Sequence, residues 1–124
     1  MGNQEDAATL RQIRQFFTAY QYSRFADWDD PNHRPAQMVG YRKNPKLGSG
    51  DVVLFYVLPE GWREINNGRD TKKAAKLAKK FGLLLKTQDN KTQALVRLPG
   101  LKPMRVYVVD GGAIFDIASK AQAE

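Results

Sequence analysis

Apolar residues recur at helical spacing in the first part of the chain. Their separations of three and four positions predict one apolar stripe along a helix over residues 6–25. The stripe consists of Leu10, Ile13, Phe17 and Tyr20. Asp6 is suited to cap the first turn, because a carboxylate accepts hydrogen bonds from the free backbone N–H groups at a helix start.

The next part changes from a polar loop to a run of β-branched and aromatic residues. Residues 27–35 are polar and contain two prolines, which predicts a loop. A short strand is expected over residues 37–43 and a turn over residues 44–50. The run over residues 51–58 is almost entirely apolar, which favours a strand at the centre of the core.

Two helices are predicted next, with a glycine-containing turn at Gly68 between them. The first begins at Pro59, because proline is favoured in a first helical turn. The second spans residues 71–81, with Asp70 as its N-cap and Gly82 where a C-terminal glycine belongs.

Beyond these helices the helical period ends and three short strands are predicted. They cover residues 83–87, 92–98 and 104–109, and the second of the two connecting turns is rich in proline and glycine. A short helix is expected over residues 114–121 before the chain ends.

The order of these elements predicts an α+β fold of the winged helix-turn-helix type. Such a fold has about three main helices and a small antiparallel sheet, whose hairpin, the wing, follows the second helix of the pair. At this length residues 1–124 are expected to form a single domain. Its expected parts are helix 1 (6–25), a core strand (51–58), the helix-turn-helix (59–82), the wing (83–109) and a C-terminal tail (110–124).

Positive charge is concentrated in the second part of the chain. The net charge is +7, and residues 1–70 contribute nothing to it because their basic and acidic residues balance. Between residues 71 and 109 ten Lys and Arg residues face a single acid, Asp89. Such asymmetry within one small domain indicates a face that binds a polyanion, most commonly nucleic acid. The alternative is a solvated basic surface that aids solubility.

The helix over residues 71–81 separates its apolar and basic residues onto opposite sides. At about 100° per residue the apolar ones fall within one arc and the lysines within another. The apolar arc holds Ala74, Leu77, Ala78 and Phe81, and the basic arc holds Lys72, Lys73, Lys76, Lys79 and Lys80. Lysines three and four positions apart repel each other, and a phosphate backbone would relieve this repulsion. A lysine-rich helix that is merely solvated is the alternative interpretation.

The predicted wing continues the positive charge. Its basic residues are Lys86, Lys91, Arg97, Lys102 and Arg105. Because lysine is a flexible point charge, contacts with phosphates are expected more than readout of bases. Thr71 and Gln88 are candidates for contact with a base edge, although no sequence pattern indicates such a contact.

Several kinds of catalytic and metal chemistry lack the residues they need. The chain has no cysteine and one histidine, His33, so disulfides, thiolate metal sites and a Ser-His-Asp triad are not expected. The cluster of Asp27, Asp29, Asp30 and His33 does not have the spacing of a calcium loop and is interpreted as a polar loop with capping aspartates. The glycines near Lys46 do not form a P-loop. We therefore expect no catalytic residues, no metal site and no cofactor.

A set of short stretches within residues 8–109 resembles a known family. They are Ser23-Arg24-Phe25, Tyr56-Val57-Leu58-Pro59-Glu60-Gly61-Trp62-Arg63-Glu64-Ile65, Gly68-Arg69-Asp70, Phe81-Gly82-Leu83-Leu84, Arg97-Leu98-Pro99-Gly100 and Arg105-Val106-Tyr107-Val108-Val109. Together they resemble the C-terminal end of a helicase-like ATPase family of bacterial phage, plasmid and integrative-element replication proteins, catalogued as a domain of unknown function. The resemblance implies a non-catalytic winged-helix module, excised from a larger protein, that holds DNA for an N-terminal ATPase domain.

These observations predict a cytoplasmic, non-enzymatic DNA-binding domain. The basic residues suit duplex and single-stranded DNA equally, and no membrane partner is expected because no stretch reaches the length of an apolar span. The alternative function is a protein-interaction or regulatory module in a replication or transfer complex. There the basic face would meet an acidic partner, and exposed aromatics such as Trp28 or Tyr41 would be the anchors.

Overall fold

The computed structural model describes residues 2–85, 87 and 91–115 of the chain. In that part the fold is α+β, with helices and strands mixed along the sequence. The elements in chain order are α1 (Gly2–Tyr20), β1 (Phe25–Asp27), β2 (Gly40–Lys43), β3 (Leu54–Val57), α2 (Pro59–Ile65), α3 (Thr71–Lys80), β4 (Ala94–Arg97), β5 (Pro103–Asp110) and α4, described over 111–115.

The five strands form one mixed sheet in the order β1-β2-β3-β5-β4. Only β1 and β2 are parallel, and the other neighbours are antiparallel. The second half of β5 pairs with β3, and its first half pairs with β4 on the opposite side. Residues 83–85 run beside the end of β5, where the Leu85 N–H donates to the Val108 carbonyl at 3.0 Å and the Asp110 N–H donates to the Leu83 carbonyl at 2.8 Å.

This topology overturns the prediction of a winged helix. The segment expected to be a wing, residues 83–109, does not form a peripheral hairpin, because the second half of β5 is inserted between β3 and the chain leaving α3. The described residues contain four helices and a mixed five-stranded sheet instead of three helices with a small antiparallel one. Alternation of apolar and polar residues indicates a strand but does not indicate which distant strand it pairs with. The wing was wrongly inferred for this reason.

The four described helices pack on one face of the sheet and enclose the main core. Because side chains alternate along a strand, Phe55 and Val57 of β3 face this layer. Phe55 meets Phe17 of α1 and Phe25 of β1, with ring centroids 4.9 Å apart in both pairs. The buried members from the helices are Ile13 and Phe17 of α1, Trp62 and Ile65 of α2, Ala74, Ala75 and Ala78 of α3, and Ile114 of α4.

A second apolar cluster lies on the opposite face of the sheet. Its buried members are Ala26, Tyr41, Tyr56, Leu98, Val106 and Val108. The loop after β1 covers part of this face, where the Trp28 ring packs 4.7 Å from the Tyr56 ring and edge-on to Tyr41 at 6.3 Å. Trp28 and Tyr41 are therefore used in packing, which corrects the expectation that they would be exposed anchors for a partner.

The first helix is displaced from the predicted bounds at both ends: it begins at Gly2, so Asp6 lies inside it and does not cap it. It ends five residues earlier than predicted because the next apolar residue, Phe25, enters the sheet. The chain turns after Tyr20, which is 43% exposed and does not join the buried stripe. Phe25 then begins β1, and its ring stacks on Phe17 with centroids 5.3 Å apart. Phe25, which the predicted helix included, thus contacts Phe17 from a strand. With three residues, β1 is too short to show the alternation that predicts a strand.

Other predicted elements agree with the structure within a few residues. The strand over 37–43 is observed at Gly40–Lys43, and the core strand over 51–58 is confirmed in its central part. The two helices of 59–82 begin where predicted and are α2 and α3. In place of the strand predicted over 83–87, the described residues 83–85 and 87 contribute an isolated bridge at Leu84. The turn predicted over 88–91 and most of the terminal helix over 114–121 lie outside the described residues.

The glycine of α2 allows this helix to approach the sheet. A Cβ atom at Gly61 would lie 2.2 Å from the Val39 carbonyl oxygen and 2.7 Å from the Val39 Cβ. We expect Gly61→Ala to lower the free energy of unfolding by about 1–3 kcal/mol, the usual effect of overpacking, although alanine favours a helix by up to about 1 kcal/mol. Urea denaturation measures this change. A variant as stable as the wild type would show that α2 does not need this close contact.

Candidate nucleic-acid interface

The side chain of Asp70 determines where the lysine-rich helix begins. Its Oδ1 accepts hydrogen bonds from the backbone N–H groups of Lys72 at 2.9 Å and Lys73 at 3.1 Å, which confirms the predicted N-cap. The hydrogen bond from the Lys73 N–H is the main cause that lowers the pKa of Asp70. The Lys72 N–H and the charges of both lysines act in the same direction and partial desolvation opposes them. The ionised carboxylate therefore stabilises the first turn of α3.

Small side chains attach α3 to the rest of the protein. Ala74, Ala75 and Ala78 are buried against the main core, while the prediction had placed Phe81 there and had omitted Ala75. Phe81 is 50% exposed because the helix ends at Lys80, and Phe81 adopts the C-cap conformation, outside the helical register. The core positions after the helix are filled by residues that follow Gly82, namely Leu83 and Leu84.

A groove separates the second half of α3 from the hairpin of β4 and β5. Its volume is about 720 Å³, and one wall comes from the helix while the other comes from the hairpin. We call this feature the basic groove. It is lined by Lys76, Lys79, Lys80, Lys91, Thr92, Gln93 and Arg105.

Five of the seven residues that line the basic groove carry a positive charge. No carboxylate is found among its described lining residues, and Asp89 lies outside the described part of the chain. Lys76 is three positions from Lys79 and four from Lys80, spacings at which like charges repel on a helix. Lys91 and Arg105 add charge from the opposite wall. An anion in the groove would interact favourably with both walls.

The structure brings together half of the basic residues that the sequence analysis proposed. Lys72 is exposed near the start of α3, outside the groove, and Lys73 lines a separate pocket with Glu5, Asp6 and Asp70. Arg97 and Lys102 are exposed near the tip of the hairpin. Lys86 is outside the described residues. The predicted set therefore divides into the basic groove and a scattered remainder.

Two uncharged residues of the groove were not predicted, because neither the charge nor the helical period distinguishes them. Thr92 and Gln93 precede β4 and lie between the lysines and Arg105. Of the residues proposed to reach a base edge, Thr71 uses its backbone carbonyl to accept a hydrogen bond from the Trp62 indole, and Gln88 is outside the described part.

Packed aromatic rings support the hairpin wall from inside the protein. The Trp62 and Tyr107 rings are stacked with centroids 4.8 Å apart. Burial raises the pKa of Tyr107, and a hydrogen bond between its hydroxyl and the Gln93 side chain partly opposes this rise. Gln93, which lines the groove, thus lies next to the Tyr107 ring that stacks on Trp62 of α2.

The other candidate clusters have structural explanations. Asp27 Oδ1 accepts from the Asp29 N–H and Asp30 Oδ1 accepts from the Asn32 N–H, both at 2.9 Å, which confirms that these aspartates cap a loop. Over residues 2–85, 87 and 91–115, no three His, Asp or Glu side chains come close enough to hold a metal ion. In the same ranges no helix is both long enough and apolar enough to cross a bilayer.

Comparison of the chain with protein-family models gives no match, and comparison with curated proteins gives none either. The similarity to the C-terminal end of the helicase-like ATPase family therefore stays a prediction. Function is inferred below from the basic groove itself.

The lowered pKa of Asp70 gives a pH-dependent contribution to stability. The ionised cap stabilises the protein above the pKa of an unfolded aspartate, near 3.9, and this contribution disappears as pH falls through the lower pKa of the folded state. Asp70→Asn keeps a capping side chain without the titration. The difference in free energy of unfolding between wild type and variant should therefore shrink as pH falls below about 5. Urea titrations at a series of pH values measure it, and a constant difference down to pH 3 would contradict the role of the charge.

Proposed function

We propose that this protein binds nucleic acid through the basic groove, mainly by contacts with phosphates. The observation that carries the proposal is the convergence of five cationic side chains from two separate parts of the chain on one groove. Three come from α3 and two from the residues of the hairpin wall. Neutralisation of several phosphates by such a set releases condensed counterions and gives a binding free energy that depends strongly on salt.

The kinds of side chain in the groove favour contacts with the backbone over readout of bases. Four of the five cations are lysines, whose ammonium groups bind phosphate as point charges. Arg105 is the exception, since a guanidinium can form two parallel hydrogen bonds or stack on a ring. The proposal is thus a binding module with little sequence preference.

Two further parts of the proposal depend on the sequence. A cytoplasmic location agrees with the absence of cysteine, and the resemblance to a replication ATPase family suggests DNA as the nucleic acid and a motor domain as a neighbour. The alternative is a protein-interaction module whose partner places acidic side chains in the same groove. Tyr41 is buried and Trp28 is partly buried against the same cluster, which weakens both as the aromatic anchors first considered for that alternative.

The double variant Lys76→Gln/Lys80→Gln tests the groove. We expect affinity for a labelled oligonucleotide to fall on the order of tenfold at about 0.1 M salt, because two phosphate contacts are lost. The slope of log K against log salt should decrease by roughly one unit per lysine. Fluorescence anisotropy over a series of salt concentrations measures both quantities.

A matched control removes the same charge elsewhere. Arg11→Gln/Lys46→Gln changes two exposed cations on α1 and on the β2–β3 loop, away from the groove. It should retain most of the wild-type affinity and slope. Equal losses in the two double variants would mean that only net charge matters, and absence of binding by the wild type at low salt would favour an acidic protein partner.

A further inference from the structure

An exposed leucine stands beside the arginine of the basic groove. Leu95 is 65% exposed and lies directly opposite Arg105 in the β4–β5 register. Directly paired residues share one face of a sheet, so Leu95 is on the same face as Arg105. The neighbouring positions Ala94 and Val96 pack in the cluster on the other face, which fixes this orientation. Leu95 therefore offers an exposed apolar side chain next to the guanidinium of Arg105, at the edge of the groove.

The position of α3 is unsuitable for insertion into a duplex. A helix that reads duplex DNA must protrude far enough to enter the major groove. Here Lys76, Lys79 and Lys80 face the hairpin across the basic groove, so this side of the helix is one wall of a cleft. The volume of about 720 Å³ is in the range of small-ligand sites, about 300–1,000 Å³, which suits a flexible strand of a few nucleotides.

We infer that the basic groove takes single-stranded nucleic acid, with phosphates on the α3 lysines and a base against Leu95 and Arg105. A phosphate makes no favourable contact with the apolar Leu95 side chain, whereas the face of an unstacked base can pack against it. Guanidinium groups such as that of Arg105 also stack on bases. In a duplex these base faces are buried in the stack and are not available. This inference rests on the proposed nucleic-acid binding and adds the form of the ligand.

Three labelled probes test the inference. Each is about 20 nucleotides long, which exceeds the usual length of a single-strand binding site. They are a single strand, a duplex, and an abasic strand with the same number of phosphates. We expect the single strand to bind at least about tenfold more tightly than the duplex and at least about threefold more tightly than the abasic strand. Equal or tighter binding of the duplex, or equal binding of the abasic strand, overturns the inference and leaves the proposed function intact. No binding of any probe rejects both.

A substitution that adds an aromatic ring gives a gain of function as a second test. Leu95→Tyr should tighten binding of the single strand by about threefold or more and leave the abasic strand unchanged, because aromatic rings stack on bases. The matched control is Leu47→Tyr, at a fully exposed leucine of the β2–β3 loop, which should change neither. Because both sites are exposed, neither variant should disturb folding. Equal effects at the two sites, or no effect at Leu95, would contradict a base at this position.

Discussion

The pairing of β5 on both sides determines the rest of the structure. Its second half must accept β3 on one side and residues 83–85 on the other, so the chain that leaves α3 is held against the sheet. Its first half then accepts β4 on the same side as residues 83–85. Residues 83–85 and β4 thus lie on the same side of β5, which places the hairpin next to the end of α3 with the groove between them.

The repulsion among the lysines of α3 is offset by interactions at the start of the helix and on its buried side. Repulsion between lysines three and four positions apart costs a few tenths of a kcal/mol per pair. The Asp70 cap and the burial of three alanines act against this cost. These interactions hold α3 in place while its lysines line the groove.

Local features of the fold were predictable from the sequence, and the long-range pairing was not. The N-cap at Asp70, the start of α2 at Pro59 and the central strands follow from short patterns that depend on neighbouring residues. The position of β5 between β3 and β4 depends on contacts between distant segments, which periodicity does not encode. Phe81 was misplaced for a smaller reason, since the helix ended one residue before the apolar position that its period marked.

The candidate site was predictable in its charge and not in its geometry. The sequence indicated ten basic residues but not which five would meet across one groove. The exposure of Leu95 could not be predicted, because Ala94, Leu95 and Val96 are all apolar and the usual alternation of apolar and polar residues is absent. The correct topology also changes the expected ligand. In a winged helix the same lysines would face outward to a duplex, whereas here they face a hairpin that carries Arg105 and Leu95. The inferred single-stranded ligand follows from this difference, because an unpaired strand can enter a groove between two walls and place a base face against Leu95.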